Sequence, residues 1–74
     1  MFLMATALLW AVGAHAAVVG GNDVNCRMAP RTNATVVGTL RRGEDVAVVS
    51  TEGAWTRVDP PRLAACWVRS DLLV

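Results

Sequence analysis

Few residues of this chain could do covalent chemistry, and their placement argues against most of it. Cys26 and Cys66 are the only thiols, and the only histidine is His15. A Cys/His or Ser/His nucleophile system needs a base beside the nucleophile, and no histidine follows position 15. Two thiolates without another soft ligand cannot complete a tetrahedral zinc site, so no metal and no cofactor is expected. The carboxylates Asp23, Glu44, Asp45, Glu52, Asp59 and Asp71 are scattered among expected turns. Solvated single acids, rather than a catalytic pair, are the norm there. The residue types point away from an enzyme.

Binding chemistry has better material. Trp55 and Trp67 are the only aromatics beyond the first dozen residues. Aromatic faces suit sugars and extended peptides, and partly buried tryptophans concentrate binding energy. Core packing is the competing role for both. Arg31, Thr32 and Arg57 are the polar side chains expected to join Trp55 in a ligand site, with plain solvent exposure as their alternative. Nucleic acid is not expected as a partner. The seven arginines are interleaved with six acids, and the Arg41-Arg42 pair is followed at once by Glu44-Asp45. Those acids cancel its field within a Debye length, and no basic face accumulates.

The elements that must position these residues begin after an apolar leader. No charge precedes Asp23, and Phe2 to Val12 forms an apolar run interrupted only by Thr6. Ala14-x-Ala16 follows it and matches the small-x-small rule of a peptidase cleavage site, so a signal peptide over residues 1–16 is expected. No Lys or Arg stands before the run, which departs from the usual pattern. An uncleaved anchor is the alternative, since Phe2 to Val19 just reaches the ~18 apolar residues of a spanning candidate. Membrane contact is expected only in that case. Either way the body is exported, to a periplasmic or extracellular location.

Export changes the reading of the cysteines. An even count in a short exported domain points to a disulfide between Cys26 and Cys66, against the alternative of two buried free thiols. The 58 residues after Ala16 form a marginal domain on their own. A cross-link closing about forty residues adds roughly 4 kcal/mol in the chain-entropy model.

Within that body, residues 17–22 read as a flexible lead-in and residues 23–74 as one domain. Val24, Cys26 and Met28 alternate with polar neighbours, the period of a half-buried strand. Val36 to Leu40 reads as a second strand, and Asp45 to Thr51 as a third with Val46 and Val48 on one face. Gly43 and Gly53 mark tight turns. Trp55 to Val58 is a fourth strand whose two named ends cannot share a face unless a bulge intervenes, so otherwise one of them is partly exposed. Pro60 and Pro61 enforce a loop, and Ala65 to Val68 is the last strand. Five short strands at tight spacing predict an all-β fold, a small barrel or sandwich. Asn33-Ala34-Thr35 is a glycosylation sequon that would matter only in a eukaryotic host.

Taken in order, these pieces resemble bacterial SH3-like (SH3b) domains. Val24 to Pro30 resembles the family's opening strand and loop, Val36 to Gly43 its Val-x-Gly-x-Leu run, and Asp45 to Val49 the strand that follows. Gly53 to Val58 is similar to a Gly-x-Trp-x-x-Val signature, and Cys66-Trp67-Val68 with Asp71-Leu72-Leu73 to the closing segment. Ala29 and Cys66 stand where the family usually has glycine. The resemblance implies a small SH3-like barrel of about five antiparallel strands with one disulfide, and the apolar leader before it is expected to be a helical signal peptide. It also implies a non-catalytic binding module directed at cell-wall peptidoglycan or envelope peptides. Docking onto an envelope protein partner, in a structural or regulatory role, is the other reading.

Overall fold

The computed structural model describes residues 15–74. The apolar run Phe2 to Val12 and Ala14 of the expected cleavage site lie outside the described residues. Among the described residues there are six strands: β1 His15–Val18, β2 Val24–Arg27, β3 Val36–Leu40, β4 Asp45–Glu52, β5 Trp55–Asp59 and β6 Cys66–Arg69. A short 3-10 turn, Ser70–Leu72, follows β6. The strands form one sheet in the order β1-β4-β5-β6-β2-β3, and every neighbouring pair is antiparallel.

Period-two patterning builds this sheet directly. On β5, Thr56 and Val58 are buried while Trp55, Arg57 and Asp59 point the other way. On β6, Cys66 and Val68 are buried, and on β2, Val24 and Cys26 are. Leu40, Val46 and Val19 complete the apolar core. Thr56 is the one buried polar residue among them, and its hydroxyl lies 2.6 Å from that of Ser70, which removes the cost of burying it. Gly53 opens the β4–β5 hairpin at φ 58° and Gly43 the β3–β4 turn at φ 90°, conformations that suit a residue without Cβ. Gly38 answers a different need: a Cβ there would meet the Leu63 side chain at 2.8 Å. Leu63 therefore lies flat across β3.

The all-β expectation holds, and each of the five expected strands has its counterpart. The sixth, β1, corrects the reading of residues 17–22 as a flexible lead-in. Ala17 and Val18 are paired with Val46 and Asp45 on β4. Val19 is 1% exposed and bridges Leu73. Val18 exchanges hydrogen bonds with Val74 (3.0 and 2.8 Å), Gly20 N–H donates to Leu72 O (2.8 Å), and Gly43 N–H donates to Val19 O (2.8 Å). Two adjacent β-branched valines, which continue the apolar leader in sequence, are here claimed by the sheet. The returning C-terminal segment pairs with the end of β1 at Val18 and with the residues just after it, which shortens the edge that β4 leaves free.

Smaller corrections follow the same logic. Met28 was expected to point inward with Val24 and Cys26, yet it is 67% exposed. The strand ends at Arg27, and Met28 N–H donates to Thr35 O within the loop. The phase conflict between Trp55 and Val58 resolves in favour of partial exposure of Trp55. A register shift occurs instead on the partner strand, between Val48 and Ser50.

The disulfide Cys26–Cys66 joins β2 to β6 with their Cα atoms 5.3 Å apart. Both residues are buried. It crosses the seam at which β2 and β6 share a single register pair, Arg27 with Trp67.

Candidate functional site

Alternation that sends Cys26, Thr56, Val58, Cys66 and Val68 inward sends another set outward together. Trp55 stands opposite Arg69 across β5–β6, and Arg57 opposite Trp67. Trp67 in turn stands opposite Arg27 on β2. The outer face of β5-β6-β2 thus carries two tryptophans interleaved with three arginines. Both tryptophans are half-buried, so their rings are packed at one side and available at the other.

At one end of this face a groove of about 340 Å³ runs between the Trp55 ring and the chain leading into β2. Trp55 and Arg69 form one wall, Arg27 and Asn25 the other, and Thr32 and Leu72 lie along it. The Arg69 guanidinium carbon is 6.0 Å from the centroid of the Trp55 ring, within cation–π range. Arg27 is fixed differently: its Nη1 donates to the Ala34 carbonyl at 2.9 Å, which ties β2 to the loop before β3. Asp23 takes φ 48° where the chain turns into β2, a left-handed conformation that Asp tolerates better than most residues. The groove straddles the β2–β6 seam, and the Cys26–Cys66 bridge holds that seam from below.

Of the residues expected to bind ligand, the structure brings Trp55 and Thr32 to this groove and leaves two outside it. Arg57 is on the same face but one row away, beside Trp67. Arg31 is exposed in the loop, where its backbone forms the turn by donating to Ala29 O (2.8 Å) and accepting from Ala34 N–H (3.2 Å). Arg27, Arg69 and Asn25 were missed by the sequence reading. Alternation marks each as outward-facing on its own strand, but only the pairing of β5, β6 and β2 brings them beside Trp55. The acid Glu44 beside Arg41-Arg42 has specific partners. Glu44 is engaged by the Arg62 guanidinium (2.7 and 2.9 Å) and by the Arg41 backbone N–H (2.6 Å), while the Arg42 side chain donates to Asn22 (3.2 Å).

The described residues form a small antiparallel β-fold with a groove beside Trp55 on its outer face. The family model of the bacterial SH3 domain matches residues 22–73, most of the chain. The chain belongs to the bacterial SH3 domain family, a family of binding domains that are generally non-catalytic. No curated protein and no solved structure matches it.

Proposed function

We propose that this protein is an exported binding module that holds cell-wall peptidoglycan or an envelope peptide in the groove beside Trp55. The observation that carries the reading is the groove itself: a half-buried indole, braced by Arg69 and faced by Arg27 and Asn25 from the neighbouring strand. Family membership supports recognition of peptides or wall components in general. The apolar leader ending in Ala14-x-Ala16 supports export to the periplasm or beyond.

A cut after Ala16 would remove His15 and Ala16 from β1 and leave Ala17 and Val18 paired with β4. The contacts of Val18, Val19 and Gly20 with the C-terminal segment would also remain. Cleavage is thus compatible with the fold.

Retention of the oxidised, secreted protein on purified peptidoglycan sacculi tests the function, with Trp55→Ala run alongside. Retention of the native protein and its loss in a folded Trp55→Ala variant is the expected result. Equal retention of both would move the ligand away from the groove. No retention of either, together with a stoichiometric co-purifying protein, would favour docking onto an envelope partner. Intact mass of the secreted form should lack residues 1–16, and a mass that retains them would mean an anchored protein.

A further inference from the structure

Resting on that reading of the groove, we infer that it captures the free terminal carboxylate of a short extended peptide, between the guanidiniums of Arg27 and Arg69. The two arginines lie on adjacent strands, and both line the groove. Arg27 spends one nitrogen on the Ala34 carbonyl and, among the described residues, has no carboxylate within ion-pair distance. A guanidinium already fixed by one bond loses less freedom when its remaining donors engage a ligand. Arg69 is braced over the Trp55 ring, and its contact with Asp71 is long at 3.5 Å between two exposed side chains. Such a pair competes weakly with a ligand.

The local charge balance favours an anion. Asp23 is the only carboxylate lining the groove, against two guanidiniums. Glu52 stands across from Trp55 on β4, on the side away from Arg69. A neutral sugar or the middle of a peptide would use the indole face and bring no charge to the remaining guanidinium donors. A carboxylate presents planar acceptors that match them. The groove volume, about 340 Å³, is near the ~300 Å³ lower limit of small-ligand sites, which suits a short ligand segment. Leu72 offers an apolar wall for a small terminal side chain, and the exposed Asn25 amide can pair with the last peptide unit.

The test follows the Trp55 indole N–H by NMR in the oxidised full chain during titration with three probes. These are trialanine with a free carboxylate, the same peptide as its C-terminal amide, and N-acetyl-Ala-Glu-Ala-amide. The free acid should shift the indole signal, and the amide should bind about 10- to 100-fold more weakly, the scale of charge-assisted hydrogen bonds. Arg69→Gln should weaken the free acid by at least about tenfold on the same basis. It carries the test because Arg27→Gln would also release the loop at Ala34. Equal binding of acid and amide, tightest binding of the glutamate peptide, or no shift with any probe would each overturn the inference. If acid and amide bind equally while sacculus retention still depends on Trp55, this inference falls and the groove reading stands. If nothing shifts the indole and sacculi do not retain the protein, both fall.

Discussion

Removal of the Cys26–Cys66 bridge should cost most of the stability of this domain. The two cysteines are 40 positions apart. Releasing a loop of that length restores entropy to the unfolded chain worth about 4 kcal/mol at 25 °C. Net stability for about 60 ordered residues is expected at roughly 3–9 kcal/mol, taking 0.05–0.15 kcal/mol per residue. The native sheet has little to offset the loss locally. β4–β5 and β5–β6 are zipped by ladders of several register pairs, whereas β2–β6 has one. The perturbation is Cys26→Ala with Cys66→Ala, which avoids leaving a buried hydroxyl or thiol. Urea unfolding, followed by circular dichroism and by tryptophan emission, reads the difference in unfolding free energy. A fall of about 4 kcal/mol is expected on the chain-entropy model, with a steeper urea dependence because the released chain exposes more surface. A fall of less than about 1 kcal/mol would refute the argument, because it would mean that contacts across the seam hold the fold and the bridge merely decorates them.

Val19→Ala should destabilise by about 2 kcal/mol, two buried methyls' worth of burial plus the cavity they leave. An unchanged urea midpoint would show that the segment after β1 is not part of the core. Acid should weaken the β3–β4 turn through Glu44, whose carboxyl is held below its ordinary value of 4.5 by the Arg41 backbone N–H and then by Arg62. A carboxyl depressed in the folded state contributes stability above its unfolded value and loses it as pH falls through the folded one. Glu44→Gln should therefore be less stable than wild type at pH 7, and the gap should close as pH falls below the ordinary carboxyl value of 4.5 and through the depressed folded one. A gap that stays constant between neutral and acid pH would exclude this linkage.

The core of this fold was legible because each strand obeys period two with few exceptions. Val24 and Cys26, Val46, Val58, and Cys66 with Val68 sit inside as the alternation requires. The glycines at positions 43 and 53 mark their turns for the same local reason. What escaped was non-local. Ala17 to Val19 has no polar alternation to declare a strand, and only the partners β4 and Leu73 define it as one. Met28 continues the β2 pattern in sequence, but the loop takes the chain away after Arg27. The site divided along the same line. Trp55 stood out by residue type, whereas Arg27 and Arg69 become its neighbours only through the β6 register and the β2–β6 seam.

That division also governs how the module can change. Residues on the inner side of β2, β5 and β6 hold the sheet together, and Asn25, Arg27, Trp55 and Arg69 on the outer side line the groove, so the two sets alternate along the same strands. An outer substitution such as Arg69→Gln removes a contact to Trp55 without opening the core, and its effect should fall on ligand binding rather than on folding. The exception is the bridge. Cys26 is flanked by Asn25 and Arg27, and Cys66 lies three positions before Arg69, so the covalent link beneath the seam also sets the spacing of the walls above it. Stability and recognition meet at that single bond. A groove built across a seam with one ladder pair needs such a tie to keep Arg27 and Arg69 at a fixed separation. In so small a domain a covalent tie can do this without a larger core.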